Sequence, residues 1–194
     1  SDLRADMTRY ELFLRETRTY EIIEDVKNFR SEIGVLFLNS YNRDVLTKMF
    51  DDNRLTYTSL FKARPHIFVS KSNPLAKHEV VSLEDLEDFP YLSYDQGIHN
   101  SFYYSEEILS QIPHKKSIVV SDRATLFNLL IGLDGYTIAT GILNSNLNGD
   151  NIVSIPLDID DEIDIVYLKH EKATLSKMGE KFLDNLVKEV TFDN

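Results

Sequence analysis

Between residues 9 and 38 the hydrophobic period changes twice. Residues 9–16 carry apolar side chains at Tyr10, Leu12 and Leu14, with Phe13 also apolar, and read as a strand. Residues 20–30 place Ile22, Ile23, Val26 and Phe29 at helical spacing. Thr19 stands where an N-cap belongs, and Glu21 and Glu24 suit the positive end of the helix. Glu32-Ile-Gly-Val-Leu-Phe-Leu38 is then almost continuously apolar, the pattern of a parallel strand covered on both faces. Strand, helix and strand in about 30 residues make a βαβ unit, which commits a chain to an α/β architecture.

The alternation continues. Residues 41–53 form a second helix with Val45, Leu46, Met49 and Phe50. Residues 56–70 are extended and contain Pro65, which in a long strand marks an edge or a crossing point. Residues 82–89 read as a short helix, with Ser82 as N-cap, Glu84 and Asp85 in its first turn, and Pro90 beyond its end. A strand at 91–94, a loop at 96–100, a helix at 101–111 and a strand at 116–120 follow. Residues 122–133 are an apolar helix ended by Gly135, with Asp122 placed to cap it through the N–H of Thr125, and 136–140 are a strand. The middle of the chain thus repeats βαβαβ around its own core. Residues 151–155 and 163–168 are further strands. A helix at 175–190 closes the chain, with Met178, Phe182, Leu183, Leu186 and Val190 on one face.

Much chemistry is excluded. The 194 residues include no Cys, so disulfides, Cys zinc sites and thiol nucleophiles are ruled out. With 21 Lys+Arg against 32 Asp+Glu the net charge is −11, which repels phosphate backbones and anionic membranes. No apolar run approaches the roughly 20 residues that span a bilayer; the longest, 126–133, is broken by Asn128 and Gly132. The five His are scattered without metal-ligand spacing, and neither a G-x-S-x-G elbow nor a phosphate loop is present. The acidic run 158–164 lacks the glycine and closing Glu of a calcium loop and reads as a solvated acidic turn or a crossover. No cofactor, metal or catalytic constellation is expected, and the chain reads as a non-enzyme.

Four stretches carry a family likeness. They are the segment from Glu32, the stretch His66-Ile-Phe-Val-Ser-Lys-Ser-Asn-Pro-Leu-Ala76, the stretch Ser82-Leu-Glu-Asp-Leu-Glu-Asp-Phe-Pro-Tyr91, and the helix and strand from Val120 to Ala139. In order and spacing over nearly the whole chain they resemble the effector-binding domain of LysR-type transcriptional regulators. The resemblance implies an α/β fold of two Rossmann-like subdomains joined by two crossover strands, similar to type II periplasmic binding proteins. Residues 1–62 plus 164–194 would form the first subdomain and 65–158 the second. Residues 65–158 carry 5 Lys+Arg against 12 Asp+Glu, so −7 of the net charge falls there. Relatives carry a DNA-binding helix-turn-helix and a linker helix, and they open the effector domain with a strand and a helix before residue 9. The resemblance therefore implies that these parts are missing here, with one central strand and part of the ligand site.

It also implies a small-molecule effector bound between the subdomains, a side-by-side antiparallel homodimer, tetramers of the full-length regulator, and DNA contact only through the N-terminal domain. A cytoplasmic protein follows, without membrane partners. Amino-acid usage, poor in Gly and Ala and rich in Asn, Lys and Tyr, resembles that of a low-GC Gram-positive bacterium. A faint likeness to regulators of sulfur-amino-acid metabolism points to an amino-acid-like effector or a sulfur-metabolism intermediate. A solute-binding receptor of a transporter is the alternative with the same fold.

Ligands in open α/β sheets bind outside the carboxyl ends of the strands, where helix N-termini present free N–H groups. Four loops fit. Thr17, Arg18 and Thr19 follow the first strand, with a simple cap as the other reading; Asn39 and Ser40 follow the second, with a turn as the other reading. The richest is Ser93, Tyr94, Gln96, Gly97, His99, Asn100 and Ser101, a polar loop between a strand and a helix. Thr140, beside Gly141, completes the rim, where Asp122 acts as a cap.

Overall fold

The elements, in chain order, are α1 (Thr19–Lys27), β1 (Gly34–Leu38), α2 (Arg43–Asp52), β2 (Leu55–Ala63), β3 (His66–Ser70), β4 (Tyr91–Tyr94), β5 (Ser117–Val120), α3 (Arg123–Gly132), β6 (Tyr136–Ala139), β7 (Ile152–Pro156), β8 (Ile163–His170) and α4 (Lys177–Phe192). They come from a computed structural model that describes residues 11–99, 101–105, 108–110, 112–142 and 151–192. Two compact units result: Ser1–Leu38 with Arg43–Phe61 and Asp164–Asn194, and Asn39–Asn42 with Lys62–Ile163.

The first unit holds a three-stranded sheet of order β1-β8-β2. β1 runs antiparallel to β8, Gly34 opposite Leu168 and Leu38 opposite Asp164. This corrects the parallel strand expected there. The strand expected at 9–16 is absent from its described part: residues 11–18 have no regular structure, and Phe13 and Leu14 are 82% and 73% exposed. A strand exists only through its ladder, and these residues join none, so their alternation finds no partner. Residues 9 and 10 lie outside the described set. Among the described residues, then, no βαβ unit forms here.

α1 begins one residue earlier than its pattern and ends three earlier. Arg18, not Thr19, occupies the N-cap position, in extended conformation and without a side-chain cap bond. At the other end the Asn28 N–H and side-chain amide both donate to the Glu24 carbonyl, and Phe29 turns left-handed with φ 58°. α1 buries Ile23 and Val26, α2 buries Leu46 and Phe50, and α4 buries Leu183. Each such side chain contributes about 1.5–3 kcal/mol.

The second unit holds a five-stranded mixed sheet of order β5-β4-β6-β3-β7. β4 runs parallel to both β5 and β6, while β3 is antiparallel to β6 and β7. The extended stretch 56–70 is two strands, one in each sheet, divided at Arg64–Pro65, where proline removes a ladder donor. α3 packs Leu126 and Leu130 against Phe68, Leu92, Val120 and Ile152. It ends at Gly132, not Gly135, and Asp134 takes the left-handed position with φ 51°.

Two expected helices shrink to 3-10 turns. The helix at 82–89 is the turn Glu84–Leu86, although Ser82 and Asp85 do exchange capping bonds. Of the helix expected at 101–111, the described residues hold only the turn Phe102–Tyr104, and residues 106, 107 and 111 lie outside them. Leu109 is left-handed with φ 62°, which interrupts any helix, and Tyr103 is instead stacked on Tyr41 at 4.9 Å.

Candidate functional site

Because β5, β4 and β6 are neighbours running parallel, their carboxyl ends share one edge of the second sheet. Residues 95–101 leave β4, Ser121 and Asp122 lead from β5 into α3, and Thr140 and Gly141 leave β6. This is where a ligand of an open α/β sheet belongs.

The β4 loop is tightly built. The Asp95 N–H donates to the Val120 carbonyl at 2.8 Å, tying the loop to β5. The Asp95 carboxylate accepts from the Gly97 N–H at 2.9 Å, and Gly97 adopts φ 63°, which glycine takes without strain. The residue between them, Gln96, is 7% exposed, and neither the nitrogen nor the oxygen of its side-chain amide has a hydrogen-bond partner. Leaving such a group unpaired costs about 1–3 kcal/mol. Natural folds carry few of these, and those they keep call for an explanation.

Ser93 and Tyr94 are half-buried at the end of β4, opposite Val119 and Val120. The His99 carbonyl accepts from the Ser101 N–H at 2.8 Å, and the Ser101 hydroxyl accepts from the Tyr103 N–H at 3.4 Å, so Ser101 caps the 3-10 turn. Asn100 lies outside the described residues. Asp122 caps α3: its carboxylate accepts from the Thr125 N–H at 2.9 Å and hydroxyl at 2.8 Å, which holds it below the usual carboxylate range. Thr140 is half-buried. Beside it Gly141 has φ 81°, and a Cβ there would fall 2.5 Å from His66 Nδ1, so only glycine fits.

Asn39 and Ser40 fold onto the same unit but are already bonded. The buried Asn39 donates from Nδ2 to Asp161 at 3.3 Å, and its Oδ1 accepts from the N–H groups of Tyr41 and Asn42. The Ser40 N–H donates to Asp161 at 3.4 Å. Within the acidic run 158–164 two carboxylates are bonded. Asp161 organises this segment, and Asp164, buried in the first unit, accepts from Arg43 at 3.1 Å and Ser59 at 2.5 Å.

Thr17, Arg18 and Thr19 belong to the first unit. The Thr17 hydroxyl donates to Glu21, Arg18 pairs with Glu21 at 3.6 Å, and Thr19 is buried in the first turn of α1. Thr17 lines a pocket of about 420 Å³ with Arg15, Asp25, Arg30, Ser176 and Phe182. Asp25 is buried there and held by Arg15 and, at 2.8 Å, by Arg30 Nε. The apolar spacing of α1 hides Asp25, since only its place beside Val26 marks it as inward-facing. Among the described residues no cluster of three or more His, Asp or Glu could hold a metal, and no helix is long and apolar enough to cross a membrane.

Comparisons with known proteins fit this architecture. Residues 1–191 match the LysR substrate binding domain. No curated protein matches the sequence. Among solved structures, HinK, a LysR family transcriptional regulator from Pseudomonas aeruginosa, is similar at 15% identity and TM-score 0.62 over 91% of this chain and 59% of its own. The effector binding domain of QuiR in complex with shikimate is similar at 18% identity and TM-score 0.60, covering 89% of this chain and 78% of its own. The effector binding domain of BenM with its effector benzoate is similar at 19% identity and TM-score 0.59, over 91% and 76%. The chain thus spans 59% of the length of HinK. Likeness at this level of identity carries the fold: mixed α/β with two sheets, similar to periplasmic binding proteins.

Proposed function

The chain belongs to the LysR substrate-binding-domain family, and we propose that it senses a small effector at the carboxyl ends of β4, β5 and β6. The unpartnered, buried amide of Gln96 carries the reading. An amide that the protein leaves unsatisfied is stabilised by a ligand that pairs with it. Ser93, Tyr94, Gly97, His99, Ser101 and Thr140 surround it in the chain and along the strand ends. Shikimate in QuiR and benzoate in BenM support a small organic acid as the effector class. An amino-acid-like molecule belongs to that class, and a sulfur-metabolism intermediate is the other candidate.

In the same proposal the two units are the two regulatory subdomains, and the domain works as a homodimer in a tetrameric cytoplasmic regulator. DNA is contacted through a separate helix-turn-helix, and effector binding shifts the populations of its states. The family match favours this over a transporter receptor and over an enzyme. A low-GC Gram-positive origin rests on amino-acid usage alone.

Thermal-shift titration with a panel of amino acids and organic acids, including shikimate and benzoate, tests the site. A binding effector raises the melting temperature in proportion to RT ln(1 + [L]/Kd). Gln96→Met and Ser93→Ala should remove that rise. A rise that survives both variants, or its absence across the panel, defeats the assignment.

A further inference from the structure

The amino ends of the parallel strands hold a different feature. β4 starts at Tyr91 and β6 at Tyr136, and both side chains are buried. His114 stacks on Tyr91 with ring centroids 3.8 Å apart and an interplanar angle of 15°. Its Nδ1 lies 2.9 Å from the Tyr136 hydroxyl, whereas its Nε2 is buried with no hydrogen-bond partner. If the tyrosine donates to Nδ1, Nε2 carries an unpaired N–H; in the opposite tautomer Nε2 offers an unpaired lone pair. Either neutral form leaves one hydrogen-bonding position open. Burial pushes the imidazole below its ordinary range, so the neutral ring is the form present at neutral pH.

His114 and Tyr136 also line a cavity of about 400 Å³, whose other walls include Leu83, Leu86, Phe89 and Ile112. That volume falls in the range of small-molecule sites, roughly 300–1,000 Å³. The Lys115–Glu87 ion pair and the Lys116 Nζ bond to the Asp88 carbonyl, at 2.7 Å, join its two sides. Glu84, Asp85, Glu87 and Asp88 outnumber Lys115 and Lys116 around it, which disfavours an anion. The apolar walls disfavour any ion that must shed its water there.

We propose that this cavity is a second small-molecule site, at the opposite end of β4 from the effector loop. It takes an uncharged single-ring or short aliphatic molecule whose one hydrogen-bonding group pairs with His114. The site stands independently of the effector reading.

NMR titration of the ¹⁵N-labelled protein with benzyl alcohol, and separately with sodium benzoate, tests it. Benzyl alcohol is expected to shift the amide signals of residues 83–89 and 112–116 saturably, together with the His114 ring signals, while benzoate leaves them unmoved. Ile112→Trp, at a half-buried wall position, fills the cavity and should abolish the benzyl alcohol response. His114→Phe keeps the stacked ring but not its nitrogen and should weaken binding about fivefold. Absence of a saturable shift, an equal response to benzoate, or undiminished binding by His114→Phe overturns the proposal. The His114→Phe arm decides alone should Ile112→Trp not fold.

Discussion

Replacing Gln96 with Met is expected to make the protein more stable while removing its effector response. The side chain is 7% exposed, and both polar atoms of its amide lack partners. Folding therefore strips water from one amide and returns no hydrogen bond, at about 1–3 kcal/mol. Met has nearly the same length and no group to desolvate, and volume-conserving swaps repack with little strain. A net gain of about 1–2 kcal/mol follows. For a chain of this size each kcal/mol moves the melting temperature by about 2–4 °C. Urea unfolding should show a higher midpoint at unchanged slope. Because the chain has two units, native-state hydrogen exchange is the sharper assay, with slower exchange at the β4 and β6 amides of the second unit. A variant that is neutral or less stable would mean that the wild-type amide is satisfied in solution, and the argument linking its vacancy to an effector would fail with it. Gain of stability with loss of binding is the expected signature of a residue kept for function.

Other perturbations bear on the same unit. Gly141→Ala should lower stability by about 1–3 kcal/mol in urea unfolding, since its φ of 81° suits glycine and the new Cβ would crowd His66 away from its 2.9 Å contact with the Arg64 carbonyl. His114 is held neutral by burial, so the unfolded chain takes up its proton first as pH falls through about 6.5. Stability present above that pH should be lost below it, and urea midpoints at pH 7.5 and 5.5 should differ less in His114→Gln. Tyr136 is pushed up to about 12 by burial, so as pH rises past about 10 the unfolded chain ionises while the folded one keeps its proton, and stability is lost between about pH 10 and 12. Tyr136→Phe should therefore flatten the alkaline loss of stability measured by circular dichroism.

The second unit was more legible in the sequence than the first, and the difference is physical. Strands β4, β5 and β6 are short apolar runs, each bounded by turn residues, and the Asp122 cap is a local bond between residues three apart, so both can be read from neighbours in sequence. Residues 9–16 carry an equally good alternation, but alternation states only which faces a strand would show. Whether a ladder forms depends on a partner that no local pattern contains. The same holds for the antiparallel pairing of β1 with β8, whose partners lie 126 or more residues apart. Residues 101–111 failed for the converse reason. They read as a helix, yet Leu109 is left-handed and Tyr103 stacks on Tyr41, 62 positions away, neither of which a local pattern reports. Gln96 lies between these cases. Polarity and its place after a strand make its loop a candidate, but the unpaired amide that singles it out is a property of burial. Polarity at a strand's carboxyl end can thus locate a binding loop, and only the fold distinguishes residues it has already bonded, such as Asn39 and Asp122, from Gln96, whose buried amide it leaves unbonded.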